Sequence, residues 1–453
     1  MFGLFTNTAG VVAHAHVNPD HQGNTVGNET LEASSLLLGF VRSIIPASVA
    51  RTLGLNIDNA GSMRRVGQGD VNVDGLSAER LADIDRTDYF GNTALMNAVS
   101  LEDLNEVRRL VALGANIHRT NINSETALIW AAWNGDVDAV NFLVERGADI
   151  HHQSQVGCTA LMEAARFNHL DVVSLLVGHG AHVDHVDVDG ETALTIAACE
   201  GEFDRMNRLI DLGANINHNT DNGDTPLHLA IWPGHIDIVN RLIALRADIH
   251  EPNNEGNTAL MIAARVGHLD ILNRLVERRA NINHVNGNGD TALLLSVARG
   301  NMDVVNRLVE LGANIHHVNN SGDTVLIMSA IHGHLDMVNR FSELGSDIHH
   351  GNNHGDTALM WAVRRGDINV VNRLLELGAN INYANIFGDT ALIYAAYSGH
   401  LTIVNHLIGL GANIHHVNDE GNTALTVAAN EGNSDVIYAL LRADPTINGA
   451  LGA

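Results

Sequence analysis

Histidine is the residue type with the greatest capacity for chemistry in this chain, because 27 of its 453 residues are histidine. The recurrent ones are His118, His151, His152, His185, His218, His250, His284, His316, His317, His349, His350, His415 and His416. Adjacent side chains of an extended segment point to opposite faces. Equivalent histidines of neighbouring helical layers would lie about 8–10 Å apart, whereas zinc ligands lie about 2 Å from the metal. We therefore predict no metal site, a structural or solvent-facing role, and a graded response near pH ~6.5.

Nucleophilic and cofactor-dependent chemistry has no support in the sequence. The chain contains no GxSxG, no glycine-rich phosphate loop, no HExxH and no CxxC pair, which are spacings that position a nucleophile, a phosphate or a metal. Cys158 and Cys199 are too few for a disulfide framework, so a reducing compartment and inert thiols are expected. We predict no catalytic residue and no cofactor.

The charge balance limits the class of partner. Asp+Glu 52 against Lys+Arg 26 gives a formal net charge of −26, which disfavours nucleic acid and favours a protein with a basic or mixed-charge surface. All 26 basic residues are arginine, although average usage predicts roughly 25 lysines in this length. A GC-rich genome would deplete Asn and Ile as well, yet both are abundant. Lysine has therefore been removed specifically.

The elements that position these residues repeat every 33 residues. A Gly-x-Thr-Ala-Leu pattern, with a few substitutions, places threonines at Thr93, Thr126, Thr159, Thr192, Thr225, Thr258, Thr291, Thr324, Thr357, Thr390 and Thr423. In the copy Gly289–Asn319, Gly289 allows a turn, Thr291 can cap a first helix, and Gly312 can end a second helix in the left-handed conformation. Apolar positions such as Leu308 lie on one helical face, which a repeat buries only by stacking on its neighbours.

This repeat resembles the ankyrin repeat over about Asp83–Asn448. The resemblance implies an all-α repeat protein, an ankyrin solenoid of eleven 33-residue helix-turn-helix units with a β-hairpin and strand in each connecting segment, here called the finger. The family's TPLH motif occurs only at Thr225–His228. Ser124 replaces the finger glycine of the second copy, and Arg246 and Arg279 replace the glycine that ends a second helix. The two arginines predict a different bend in the middle of the array.

The residues before the repeats divide into two segments. Residues 1–28 are polar and are predicted to be disordered, which is compatible with a translocation signal. Residues 29–86 are predicted to form a short helical cap on the first repeat, or a segment that docks on a membrane or partner; the array occupies 87–453. No apolar run is long enough for a membrane span, and Glu32 and Arg42 argue against one. The N-terminus lacks the features of a cleavable secretory signal.

The resemblance implies that partners bind the concave surface made by the fingers and the exposed ends of the first helices. The helix-end positions hold Trp133, Arg166, Phe167, Glu200, Trp232, Arg265, Arg299, His332, Arg364, Arg365 and Tyr397. Tryptophan and arginine are frequent hot-spot residues, and an exposed tryptophan favours a partner. Trp130, Trp361 and Tyr394 lie three residues earlier and are expected to pack in the core.

The position before each capping threonine is acidic in seven copies, namely Glu125, Glu191, Asp224, Asp290, Asp323, Asp356 and Asp389. Two interpretations stay open. An acidic row beside aromatic and arginine anchors would suit a basic or mixed-charge polypeptide. Asp also favours turns whether or not a partner binds.

Two further patterns concern side chains that recur in each repeat. Second-helix arginines lie at Arg208, Arg241, Arg274, Arg307, Arg340 and Arg373, and the first five follow an Asp by four residues. This spacing predicts i,i+4 ion pairs worth a few tenths of a kcal/mol each. Asn217, Asn283 and Asn382 occur in an L-x5-N-I-N setting that resembles the ankyrin sites modified by eukaryotic asparaginyl hydroxylases.

The wording of the repeat, with GANIN, GANIH and VNRL, resembles bacterial and large-virus ankyrin proteins, many of which are effectors delivered into a eukaryotic host. Ubiquitin is attached chiefly through lysine, so a lysine-free chain would resist ubiquitylation. We predict a non-enzymatic scaffold, secreted into the host cytoplasm, that binds or sequesters a host protein. The alternatives are a substrate adaptor of a ubiquitin ligase, an enzyme or toxin with a catalytic element in residues 1–86, and a cytoplasmic scaffold of the chain's own organism.

Overall fold

The computed structural model describes residues 84–444. The predicted segments 1–28 and 29–86, apart from the last three residues of the second, lie outside this range. Within it the chain forms 22 helices and no strand, with two helices in each 33-residue repeat. This confirms the predicted all-α repeat architecture. The chain divides at His185 and Val186 into two compact units, here called the N-terminal unit and the C-terminal unit.

The helices alternate between first and second helices of successive repeats. Those of the N-terminal unit are α1 Ala94–Ser100, α2 Leu104–Ala112, α3 Ala127–Asn134, α4 Val137–Glu145, α5 Ala160–Arg166 and α6 Leu170–Gly178. Those of the C-terminal unit are α7 Ala193–Glu200, α8 Phe203–Asp211, α9 Pro226–Ile231, α10 Ile236–Ala244, α11 Ala259–Val266, α12 Leu269–Glu277, α13 Ala292–Arg299, α14 Met302–Glu310, α15 Val325–His332, α16 Leu335–Glu343, α17 Ala358–Arg365, α18 Ile368–Glu376, α19 Ala391–Tyr397, α20 Leu401–Gly409, α21 Ala424–Asn430 and α22 Ser434–Ala443.

Local capping sets the ends of these helices. The backbone N–H of Leu294 donates to Thr291 Oγ1 at 3.3 Å and begins α13 as predicted, because a threonine oxygen satisfies a donor that the first turn leaves open. After α14, Gly312 has a φ of 84°. Arg246 and Arg279, at the equivalent position, have φ values of 68° and 65°, so the backbone at these two sites adopts the same left-handed conformation as the glycine copies.

Each repeat contributes one apolar face to the core. Leu293 of α13 and Val305 and Leu308 of α14 are at most 1% exposed, and first helices pack on the first helices of neighbouring repeats, as α13 does on α15. Burying a side chain of this size contributes about 1.5–3 kcal/mol. Stacking is therefore what makes each helix pair stable.

The fingers are turns, and the predicted strand in them is wrong for the described residues, where only three isolated β-bridges occur. Asn314 shows why. Its side-chain oxygen accepts the backbone N–H of His316 at 3.0 Å, which closes a local turn in place of a strand ladder. The backbone N–H of Asn314 also donates to the side-chain oxygen of Asn283 in the preceding repeat, at 3.0 Å. The side-chain oxygens of Asn217 and Asn382 accept the equivalent backbone N–H from the repeat that follows each of them.

Histidines join seven of the described fingers to the finger before them. In one set, the ring Nε2 is hydrogen-bonded to the backbone carbonyl oxygen of the residue 28 positions earlier, at 2.7–3.3 Å. Within residues 84–444 this set comprises His152, His185, His218, His284, His317, His350 and His416. A second set, His169, His235, His268 and His400, lies 3.1–3.4 Å from carbonyl oxygens 36 residues earlier. These rings connect neighbouring repeats, as their predicted structural role requires.

Replacing His317 by alanine is expected to lower the free energy of unfolding by about 1 kcal/mol, since an inter-repeat hydrogen bond of 2.7 Å to the Gly289 oxygen is lost. His316→Ala is the matched control, because that adjacent ring is exposed and its loss should cost less than about 0.5 kcal/mol. Urea unfolding followed by circular dichroism measures both variants. Equal losses would show that the histidine contact contributes nothing.

Four of the second-helix arginines, Arg241, Arg274, Arg307 and Arg373, contact partners other than the predicted aspartates. Arg274 and Arg307 pair with glutamates three residues later, at 2.9 and 3.1 Å. The Nε groups of three arginines also donate to asparagines 34 residues earlier, in the pairs Arg241–Asn207, Arg307–Asn273 and Arg373–Asn339 at 2.6–2.8 Å. These side chains therefore connect the second helices of neighbouring repeats.

Cysteine thiols and metal ligands give no reactive centre in the described chain. Cys158 is buried, and burial raises the pKa of the half-buried Cys199 thiol, which disfavours the nucleophilic thiolate. Within residues 84–444, no three His, Cys, Asp or Glu side chains are grouped so that they could hold a metal ion.

Candidate partner-binding surface

The acidic position before each capping threonine is used inside the repeat stack. In five copies its carboxylate accepts an asparagine side-chain N–H from the next finger at 2.7–3.0 Å, in the pairs Asp224–Asn253, Asp290–Asn319, Asp323–Asn352, Asp356–Asn385 and Asp389–Asn418. Asp323 and Asp356 are buried, and burial raises the pKa values of Asp224 and Asp323. Glu191 is half-buried. Partner binding by these seven residues stays a prediction, and the five aspartates already have hydrogen-bond partners within the stack.

The helix-end residues are more accessible. The exposed members are Arg166, Glu200, Arg299, Arg364, Arg365 and Tyr397, and the half-buried members are Trp133, Phe167, Trp232, Arg265 and His332. Trp130, Trp361 and Tyr394, expected in the core, are half-buried as well. Each of the last three therefore presents part of its ring to solvent beside the helix-end positions, where contact with a partner remains a prediction.

Three rings gather on the first helices of the N-terminal unit. Trp130 and Trp133 lie on consecutive turns of α3 with ring centroids 6.4 Å apart, and Phe167 meets Trp133 edge to face at 5.4 Å. Phe167 comes from the C-terminal end of α5, in the next repeat. We call Trp130, Trp133 and Phe167 the aromatic cluster. Aromatic rings in this arrangement combine a large contact area with electron-rich faces.

Two carboxylates border the aromatic cluster. Glu125 Oε2 accepts both the Trp130 indole N–H at 2.9 Å and an Asn121 N–H at 2.7 Å. Glu163 lies one helical turn before Phe167, and burial raises its pKa despite Arg166 at 3.7 Å. The negative charge of Glu125 acts on Glu163 in the same direction. The cluster therefore lies beside two carboxylates, one of which is paired with Arg166.

Tryptophans of the C-terminal unit lie against arginines. The Arg265 guanidinium lies over the Trp232 ring at 5.3 Å. Arg364 lies between Trp361, at 5.1 Å, and Tyr394, at 5.8 Å. The Tyr394 hydroxyl donates to an Asp356 oxygen at 3.1 Å, and burial raises the pKa of that hydroxyl. These aromatic faces are thus occupied by cationic groups of the same unit.

A known repeat family has this arrangement of helix pairs joined by turn-shaped fingers. A family model described as ankyrin repeats, in three copies, matches residues 72–154, 148–220, 201–286, 234–319, 260–352, 293–385 and 377–449. The chain belongs to the ankyrin-repeat family. No curated protein sequence matches it. Ankyrin repeats are protein-interaction scaffolds and are generally non-enzymatic, so this chain has protein partners. Among residues 84–444 of this ankyrin chain, no helix is long and apolar enough to cross a membrane.

Apolar finger tips are a feature of this ankyrin array that the sequence analysis missed. Tyr89 is 88% exposed, Ile122 61%, Val156 53%, Ile386 60% and Phe387 49%. The signal that could have revealed them is positional, because the same two tip positions hold Asn, Asp, Glu, Gly, Ser or His in most of the other copies. Tyr89 packs edge to face on Phe90 and Phe387 stacks on His354, yet all five side chains stay exposed and therefore extend the candidate surface.

Proposed function

We propose that this ankyrin chain is an effector that acts inside a eukaryotic host cell, where it binds or sequesters a host protein through its finger tips and first-helix ends. The observation that carries the effector role is the absence of lysine from a chain with 26 arginines. Several arginines make contacts that need a guanidinium, such as Arg307 with Asn273. Others, such as Arg299, are solvent-exposed. Selection against lysine itself accounts for both groups.

Ubiquitin transfer explains that selection. A ubiquitin ligase joins ubiquitin chiefly to lysine amines, so a chain without lysine escapes tagging and proteasomal removal in the host cytoplasm. The net charge of −26 complements a basic or mixed-charge partner. The aromatic cluster supplies the type of side chain that most often dominates the binding energy of an interface.

Restoring one lysine is expected to shorten the life of the protein in eukaryotic cells. Arg299→Lys preserves the charge at an exposed helix end, and it should give a ubiquitin conjugate and a half-life at least about twofold shorter, which a proteasome inhibitor restores. A cycloheximide chase with ubiquitin blotting measures both effects. Arg299→Gln, which adds no amine, is the matched control and should keep the wild-type half-life. Rapid turnover of the wild-type chain through direct ubiquitylation would contradict the proposal.

Partner capture tests the binding surface separately. The intact array should retain a defined host protein from lysate, and Trp133→Ala should reduce that retention about tenfold or more, as loss of a hot-spot residue does. Tyr438→Ala is the matched control, because Tyr438 is an exposed aromatic residue of α22. This variant should retain the partner fully. Undiminished capture by Trp133→Ala would show that the contact surface lies elsewhere.

The lysine-free composition also fits a substrate adaptor of a ubiquitin ligase, because such an adaptor would avoid its own modification. This function requires a stable complex with ligase core subunits. Co-purification of those subunits with the full chain would favour the adaptor over the sequestering effector.

A further inference from the structure

The C-terminal unit shows which group covers a tryptophan on this surface. Trp232 lies seven residues after its capping threonine, Thr225, and Trp361 lies four residues after Thr357. A guanidinium lies over each ring, from Arg265 at 5.3 Å and from Arg364 at 5.1 Å. Both tryptophan positions of the repeat therefore accept an arginine on the ring face.

The same two positions occur together in the second copy, as Trp130 and Trp133. Within residues 84–185 no guanidinium lies over either of these rings. Arg166, which holds the position equivalent to Arg265, lies 3.7 Å from Glu163, and Phe167 packs against the Trp133 ring. The arginine arrangement of the C-terminal unit is thus missing from the aromatic cluster.

Two carboxylates lie near the aromatic cluster, and one of them, Glu163, is 3.7 Å from Arg166. The other is that of Glu125. Burial raises the pKa of Glu163, and the negative charge of Glu125 raises it further, because two like charges repel each other. A cation held against the Trp133 face would gain attraction from the rings and from both carboxylates at once.

We propose that the aromatic cluster binds an arginine side chain presented by the partner protein. The inference rests on the proposed function, because it names the group through which that partner is recognised. Arginine is favoured over lysine because a planar guanidinium stacks on an aromatic ring and donates to carboxylates at its edge at the same time. Arginine lies over aromatic rings elsewhere in the described chain, with guanidinium carbons 5.0–5.4 Å from the ring centroids for Arg108, Arg146, Arg265 and Arg364.

Binding of a single-arginine peptide to the full chain tests this proposal. The probe is the end-capped peptide Gly-Ser-Arg-Ser-Gly, titrated at physiological salt and followed by saturation-transfer NMR of the peptide. The peptides with citrulline or lysine in place of arginine should bind at least about tenfold and about threefold more weakly, respectively, as expected for a desolvated cation–π contact. Citrulline keeps the shape of arginine without its charge.

Two variants localise the site. Trp133→Leu and Glu163→Gln should each raise the Kd for the arginine peptide about fivefold to tenfold. Trp232→Leu is the matched control, since Trp232 occupies the equivalent position but is covered by Arg265, and it should change Kd less than about twofold. Unchanged circular dichroism and melting of each variant exclude loss of the fold. Glu163→Gln is nearly isosteric and removes the carboxylate charge together with its ion pair to Arg166, so its effect is interpreted together with that of Trp133→Leu.

Four results would overturn the proposal, and each leaves the proposed function assessable. They are no binding of the arginine peptide, equal affinity for the citrulline peptide, equal affinity for the lysine peptide, and equal weakening by Trp133→Leu and Trp232→Leu. If the peptide fails while capture of a host protein still depends on Trp133, the arginine inference is wrong and the scaffold function stands. If the peptide binds as expected while no host protein depends on Trp133, the proposed function fails and the arginine site remains.

Discussion

At about pH 4, replacing His228 by methionine is expected to raise the free energy of unfolding by about 3 kcal/mol relative to the wild-type chain. His228 lies in α9 and is fully buried. Its Nδ1 accepts the backbone N–H of Thr225 at 3.2 Å, and its Nε2 is buried without a hydrogen-bond partner. Burial lowers the pKa of His228 from 6.5 to about 4.

The sign of the effect follows from proton linkage. The unfolded chain protonates this histidine as the pH falls through 6.5, whereas the folded chain keeps it neutral until about pH 4. The unfolded state therefore binds more protons in this window, and stability falls as the pH falls. Methionine removes the titration and preserves the cap, because Met96 at the equivalent position of α1 accepts the Thr93 N–H at 3.4 Å.

Urea unfolding of both chains between about pH 7.5 and pH 4, followed by circular dichroism, measures the difference. The wild type is the control for every other titrating group, because those groups are common to both chains. The two free energies should agree within about 1 kcal/mol above pH 7 and diverge below pH 6. Parallel curves over the whole range would show that His228 does not carry the acid sensitivity.

Gly289→Ala is expected to lower the free energy of unfolding by about 3 kcal/mol or more, whereas Gly312→Ala in the same repeat should cost about 1 kcal/mol. Both glycines have left-handed backbones, with φ values of 76° and 84°. An alanine Cβ at position 289 would lie 2.7 Å from the backbone nitrogen of Asn320, while position 312 is open. That nitrogen donates to the Asn288 oxygen at 3.0 Å, so the clash separates two neighbouring fingers.

Natural exceptions define the controls for this prediction. Arg246 and Arg279 occupy the open position of Gly312 in other repeats, which shows that the left-handed backbone alone is tolerated there. Ser124 occupies the finger position in the second copy with a φ of 60°, and nothing in the structure explains how its neighbours accept it. Ser124→Gly should stabilise the chain by about 0.5–1 kcal/mol through relief of the left-handed strain. Equal losses from the two alanine variants in urea unfolding would refute the clash.

Local interactions explain how much of the fold the sequence predicted. Thr291 caps a first helix by accepting the backbone N–H of Leu294, three residues later. Gly312 ends a second helix in the left-handed conformation. Both interactions lie within one turn of helix. Eleven copies of the threonine and eight of the glycine define the repeat and its helix pair. The finger was predicted less well, because Asn314 closes a turn with its own side chain where the pattern indicated a strand.

The candidate surface depends on contacts that span a whole repeat. The sequence located Trp133, Trp232 and the acidic row, but it could not show that Asp356 is buried and bonded to Asn385. It also left open whether the acidic row binds a partner or only favours turns. Five of the aspartates accept a hydrogen bond from an asparagine 29 residues later. Residues at this separation come into contact only when neighbouring repeats stack.

The residues alone reveal the period, the start of each first helix, the end of most second helices, the excess of negative charge and the absence of lysine. How the repeats pack settles which aromatic rings an arginine covers. Trp133 and Trp232 hold the same position in their repeats, yet Arg265 lies over the second, while Arg166 lies beside Glu163 near the first. Helix capping acts between residues a few positions apart, so spacing reveals it. The cover over Trp232 comes from the next repeat and depends on side-chain direction, so only packing in three dimensions determines it.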